Sequence, residues 1–272
     1  MDLQAARKEK GVLIAGHRGN WGGNIPPNTI ASYKAALMLG VDMIETDIQS
    51  SADGVFYAYH TGEEKGCFGI GRRLGEMSAA EIEGLEFRNT MFNLSGIGVD
   101  RMDDVLSFLK GRCFINVDRG WLGSWRDTIR YLRKFGMEDQ IILKSPPARE
   151  LLSELEEEGP ELMYMAIIKD ADQYPVVKEY KVRAVAVETN YQDMDNEISS
   201  DAFIRKLHDD GLMVWANALT LDGKKHLAAG HDDNASIIDG PDKGWGYLLD
   251  KGYDIIQTDW PSLLIDYIRT RS

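Results

Sequence analysis

The chain has 272 residues, with 31 lysines and arginines against 44 aspartates and glutamates, a net charge of −13, a hydrophobic fraction of 43% and a mean hydropathy of −0.32. That is enough chain to bury a sizeable core, while an acidic balance without a local basic stripe argues against nucleic acid or an anionic membrane as a general partner. No apolar run approaches the roughly 20 residues that span a bilayer, the Met1–Lys10 stretch lacks the apolar centre of a signal peptide, and Cys67 and Cys113 match neither a disulfide framework nor a zinc pattern. A cytoplasmic protein without integral membrane association is expected. A small anionic substrate remains compatible, because a metal ion and a few basic side chains can invert the local potential.

In chain order, strand-length apolar runs fall at 12–15, 42–48, 113–117, 140–143, 162–168, 183–187, 212–216 and 254–257. Helical patterns lie between most of them. Ser32–Leu39 is the first, with Asn28 as a plausible N-cap and Gly40 as a stop. Val105–Leu109, Ser124–Phe135, Ala148–Glu158, Asp172–Tyr180 and Ile198–Asp209 follow, and Asp259 is expected to cap a final helix with Pro261 in its first turn. Buried strands alternating with helices predict an α/β fold, a (β/α)8 TIM barrel, with an open doubly wound sheet as the alternative. The whole of 1–272 reads as one domain. Residues 61–100, rich in glycine and with a short helix near Ala79–Leu85, read as an insertion between the second strand and its helix, and long loops of this kind are usually functional or disordered. Residues 217–243 form a second, polar connection.

The residues with chemistry sit at strand ends. Glu45 and Asp47 are two apart, so they share one face of a strand. Two carboxylates held together raise each other's pKa unless a cation intervenes, and a hard divalent cation with oxygen ligands, Mg²⁺ or Ca²⁺, resolves that cost. The alternative is a pair of solvated acids. Asp118 ends the third strand and is placed to supply a third metal ligand, or to cap a turn before Gly120. His17 and His60 end two further runs, and an ordinary pKa of about 6.5 suits both to proton transfer. Arg18 can fork onto a phosphate. Gly19 either lets backbone approach a ligand or makes a turn. His208, His226 and His231 read as structural or surface residues. Trp215 reads as core or as a pocket wall, and Asn217 as a ligand contact or a turn cap.

These residues together form a pattern that resembles the glycerophosphodiester phosphodiesterase family. The matching motifs are His17-Arg18-Gly19, Pro26-Pro27-Asn28-Thr29, Glu45-Thr46-Asp47, His60, Trp215-Ala216-Asn217 and Thr258-Asp259-Trp260-Pro261. The resemblance implies that Glu45 and Asp47 bind one divalent cation, that His17 and His60 exchange protons, that Arg18 binds phosphate, and that a glycerophosphodiester is hydrolysed to an alcohol and glycerol 3-phosphate. The family's Glu-x-Lys on the third strand is replaced by Asp118-Arg119-Gly120. Arg119, next to Asp118, is expected to point away from the metal. Lys144, at the end of the fourth strand, is expected to reach into the site in place of the missing lysine, or else to be a surface lysine at a loop start. Two alternatives stand beside hydrolysis: a phospholipase D-like or cyclising lyase acting on a related phosphodiester, and a phosphoryl-ligand-binding barrel without turnover. Two histidines at strand ends argue against the last, since binding alone needs no acid-base pair.

Overall fold

Each barrel strand has apolar side chains on both faces, so each can be buried only in a parallel sheet covered on both sides. The computed structural model describes residues 1–221 and 225–271. Its elements run α1 (Leu3–Lys10), β1 (Leu13–His17), α2 (Ile30–Leu39), β2 (Met43–Ser50), β3 (Phe56–Ala58), α3 (Glu64–Cys67), α4 (Ala79–Glu83), β4 (Glu86–Arg88), β5 (Leu94–Gly98), α5 (Met102–Leu109) and β6 (Phe114–Asp118). They continue with α6 (Trp125–Arg133), β7 (Ile141–Ser145), α7 (Arg149–Glu158), β8 (Met163–Ile168), α8 (Tyr174–Val177), β9 (Arg183–Thr189), α9 (Asp201–Asp209), β10 (Met213–Asn217), α10 (Trp245–Lys251), β11 (Ile255–Thr258) and α11 (Pro261–Arg271).

Eight of these strands form a closed parallel barrel in the order β1-β2-β6-β7-β8-β9-β10-β11, and β11 pairs back onto β1. This is the (β/α)8 architecture expected from the apolar runs. Alternation sorts the side chains. Leu13, Ala15, Met43, Phe114, Ile142, Met163, Met165, Met213, Trp215 and Ile255 fill the barrel interior, with Leu3 of α1 packed against them. Their neighbours Ile14, Ile44, Ile115, Leu143, Val187 and Val214 pack outward into the layer shared with the helices. No helix among the described residues is long and apolar enough to cross a membrane.

Residues 61–100 leave the barrel after β3, which runs antiparallel to β2, and the chain returns to the barrel wall with α5. The segment contains α3, α4 and the β4–β5 hairpin. With Tyr57 and Tyr59 it builds a small core of its own from Phe68, Leu74, Met77, Ile82 and Phe87. In the 217–243 connection, residues 222–224 lie outside those described.

Several element boundaries differ from the sequence expectation. Asn28 does not cap α2. Thr29 does, in a reciprocal capping box with Ser32, while Asn28 sits at φ 56° and turns its amide into the barrel. The α5 helix begins at Met102 rather than Val105. The expected 172–180 helix is a single turn of α8 preceded by a 3-10 turn, and α9 starts only at Asp201. The ninth strand runs on to Thr189, which carries Glu188 into the wall.

Gly19 makes a turn. It has φ 87°, and a Cβ there would lie 2.6 Å from both the backbone carbon and Oγ of Ser32. Gly19→Ala should therefore cost about 2 kcal/mol or more through strain and collision, a fall in melting temperature of roughly 4–8 °C. An unchanged melting temperature would show that this turn accepts a side chain.

Candidate active site

The register of the first three barrel strands brings the acids together. His17 of β1 lies opposite Glu45 of β2, and Asp47 of β2 lies opposite Asp118 of β6. One carboxylate oxygen from each of Glu45, Asp47 and Asp118 falls within 4.8 Å of the others. They line a cavity of about 460 Å³ at the C-terminal ends of the strands, together with His17, Arg18, His60, Glu63, Arg119, Lys144, Glu188 and Asn217. This is the face on which (β/α)8 barrels carry their chemistry.

Each side chain is held by a partner. Asp47 accepts 2.8 Å from Asn28 Nδ2, and its backbone N–H donates 3.1 Å back to Asn28 Oδ1. Arg18 Nε and Arg119 Nε stand 3.1 and 3.3 Å from the two Asp47 oxygens. Neither Nε is aligned for a hydrogen bond, although both are buried. Glu45 accepts 3.1 Å from the Arg18 backbone N–H. Burial opposes the Asp47 charge, but Arg18, His60, Asn28 and Arg119 outweigh it and bring its carboxyl down to about 2. Glu45 goes the other way. Burial and then the neighbouring Asp47 push it up, and Lys144 and His17 offset only part of that. The donor set is oxygen-only and under-compensated, which suits a hard divalent cation.

His17 Nδ1 is 2.7 Å from Asp259 Oδ1. His60 follows Tyr59, whose N–H bonds 3.2 Å to the Asp47 carbonyl, so β3 delivers it beside the acids. Its Nδ1 lies 3.1 Å from Glu63 Oε1, which also takes a 2.9 Å bond from Arg18 Nη1. Both rings line the cavity; His17 Nδ1 is hydrogen-bonded to Asp259, whereas His60 Nδ1, though 3.1 Å from Glu63, is not aligned for a hydrogen bond. Burial lowers the His60 pKa, offset in part by Asp47.

Lys144 is 2% exposed and points inward, not into solvent. Its Nζ lies 3.1 Å from Glu188, 3.2 Å from Asp118 and 3.9 Å from Glu45, and 5.4 Å from the centre of the Trp215 ring. Burial works against its charge, yet Asp118, Glu188 and Glu45 hold its pKa above the ordinary value. Asn217 donates 2.9 Å to Glu188, and Trp215 donates 2.8 Å to Asn217. Trp215 is fully buried beneath this floor and is not among the cavity's lining residues, so it is core rather than wall.

Two expectations need correcting. Arg119 does not point away, because β6 ends at Asp118 and Arg119 turns to φ 64°, so strand alternation no longer governs it. Asp259 does not cap the last helix; its carboxylate bonds to His17. His208 and His231 lie apart from the site, on Asp254 and stacked on Tyr247 respectively, and His226 is near Asp232. Glu63, Glu188 and Asp233 are not singled out from sequence, and Asn28 is read there as a helix cap rather than as a partner of Asp47. Only Glu188 had a signal, since alternation with Ala186 places it inside the barrel.

The class of structure defined here is a (β/α)8 barrel, and known proteins share that fold. A glycerophosphoryl diester phosphodiesterase from Parabacteroides distasonis superposes with a TM-score of 0.80 at 15% identity, over 100% of this chain and 93% of that one. A phosphodiesterase from Oleispira antarctica, solved in complex with the product sn-glycerol-3-phosphate, gives a TM-score of 0.69 at 14% identity over 94% and 96%. In sequence, a glycerophosphodiester phosphodiesterase from Caldanaerobacter subterraneus subsp. tengcongensis is 46% identical over 49 residues, and the match covers 18% of this chain and 20% of the relative. A family model described as a domain of unknown function (DUF4996) matches residues 163–268.

Removing one member of a buried ion cluster leaves its partners uncompensated. Lys144→Met should destabilise the protein by roughly 3–5 kcal/mol, and adding Glu188→Gln should recover part of that loss. Denaturant unfolding of the two variants checks both. A single variant as stable as the parent would show that the floor charges do not depend on Lys144.

Proposed function

We propose that the chain is a metal-dependent phosphodiesterase of the glycerophosphodiester phosphodiesterase family, hydrolysing a glycerophosphodiester to an alcohol and glycerol 3-phosphate. The observation that carries this reading is the pair of histidines that line one cavity with three converging acids, His17 bonded to Asp259 and His60 3.1 Å from Glu63. The superposed enzymes support it. The functional unit is taken as 1–272 with 61–100 as an insertion, working in the cytoplasm on a small phosphodiester of lipid origin.

Glu45, Asp47 and Asp118 would hold Mg²⁺ or Ca²⁺ through their oxygens, and the bound ion would supply positive charge to a phosphoryl oxygen. Arg18, Arg119 and Lys144 add permanent positive charge around the same cavity, where charge developing on phosphorus-bound oxygens gains most from preorganised donors. Burial lowers the His60 pKa, which suits its ring to take a proton from the attacking water. His17 is suited to give one to the leaving alcohol oxygen, because Asp259 holds its ring through Nδ1. Asn217 orients Glu188 and so the Lys144 ammonium.

Replacing either histidine should cost turnover but not folding. His17→Ala and His60→Ala should each lose roughly 10²–10⁴-fold in kcat, assayed on a panel of glycerophosphodiesters and lysophospholipids. Phosphorus NMR of the products separates hydrolysis from cyclisation. A cyclic phosphate would move the assignment to a lyase, and a variant with near parental activity would remove that histidine from the mechanism.

The metal has a separate readout. Because the Glu45 pKa is raised in the folded state, the contribution of this group to the stability of the metal-free protein falls as pH climbs from about 4.5 toward about 7. A divalent cation binding the ionised form should raise the melting temperature, and more so near pH 8 than near pH 5.5. No cation-dependent rise at either pH, together with activity that survives exhaustive chelation, would reject the metal.

A further inference from the structure

The proton-moving role proposed for His17 depends on how Asp259 is placed, and Asp259 has little to hold its own side chain. Among the described residues its carboxylate makes one side-chain hydrogen bond, to His17, and it is 27% exposed. Its backbone, by contrast, is fixed from behind. Asp233, in the connection after β10, is 2% exposed. Asp233 Oδ1 accepts from Thr258 Oγ1 and from Trp245 Nε1, both at 2.7 Å, and Oδ2 accepts from the Asp259 N–H at 2.9 Å. Thr258 Oγ1 in turn accepts 2.9 Å from the Trp260 N–H, and the Asp233 N–H donates 2.7 Å to the Ala218 carbonyl. The two residues on either side of Asp259 are thus tied to one carboxylate, directly or through a hydroxyl.

We infer that Asp233 is a positioning residue for His17, acting through Asp259 to hold the imidazole with Nδ1–H toward the carboxylate and Nε2 toward the substrate. The inference rests on the proposed phosphodiesterase reading for its catalytic consequence, though not for its structural one. The chemistry of the contacts supports a carboxylate here. Both oxygens face donors, and all three donors are neutral, so no cation offsets the burial of the charge. An amide would turn an NH2 against either the Asp259 N–H or the Thr258 and Trp245 donors, and would leave a buried donor unsatisfied. Burial is the larger influence on this carboxyl, pushing it up to about 7 against the lowering effect of the same three bonds. A group that only ended a strand would not need to be a buried acid.

The test is Asp233→Asn, Asp259→Asn and the double variant, with divalent cation present. Nitrogen-15 shifts of the His17 ring report its tautomer directly, and the chain has only five histidines to assign. The parent should show Nδ1–H. Asp233→Asn should give mixed tautomers, and kcat on a glycerophosphodiester should fall at least tenfold with KM little changed. Added to Asp259→Asn, it should change neither readout further, since coupled residues are non-additive. If Asp233→Asn fails to fold, Thr258→Val deletes one link of the same clamp at nearly constant volume and should shift the ring in the same direction. A parental ring spectrum in the variants, or a further loss in the Asp259→Asn background, overturns the inference. If the parent turns over no phosphodiester, the proposed function fails, and the ring spectrum still decides the role of Asp233.

Discussion

Lys144 carries an ammonium at the upper end of a closed barrel, with Glu188, Asp118 and Glu45 around it. An isolated charge in such a place would cost far more than folding can supply, so the surroundings must be built of opposite charge. That constraint shapes the site. Three strands contribute carboxylates at matching levels, the lysine neutralises part of them, and Arg18 and Arg119 close on Asp47 from the cavity side. Below this layer the interior turns apolar, with Met43, Phe114, Met165 and Trp215, and the barrel is packed rather than open. The charged layer is therefore affordable only at the mouth, where loops and a ligand can complete its compensation.

The same logic separates the two histidines. His17 is bonded to a carboxylate from the final strand's exit, whereas His60 lies 3.1 Å from a carboxylate that bonds to Arg18, and burial lowers the His60 pKa. Similar rings thus meet different environments, and this difference supports distinct proton-transfer roles. The residues matched by the family model, 163–268, hold Glu188, Asn217, Asp233 and Asp259, the groups that stand behind the reacting ones. The acids and histidines proposed to react lie earlier in the chain.

The strands were legible because apolar runs of the right length leave few alternatives once they alternate with helices. Glu45, Asp47, Asp118, His17 and Lys144 converge because the strands of a barrel meet at one rim, and His60 joins them from β3, which folds back along β2. What sequence could not show was anything decided by a single backbone torsion or by a loop. Arg119 looked like a strand residue, but one positive φ reversed its direction. Asn28 looked like a cap because caps and inward-turned amides use the same side chain. Asp259 next to a helix start read as a cap on local grounds, whereas its partner is 242 residues away. Asp233 opens a short helical stretch and Glu63 precedes one, positions where no periodicity predicts what a side chain will face.

The pairing of β11 with β1 has a consequence in time as well as in space. The three acids and His60 all belong to the first half of the chain, and their strands can pair with one another early. His17 gains its carboxylate only when β11 docks against β1 and brings Asp259 to the rim. A ribosome-bound chain that has not yet released β11 would hold the three acids while lacking the carboxylate that fixes the His17 ring, so the last strand completes the surroundings of the first.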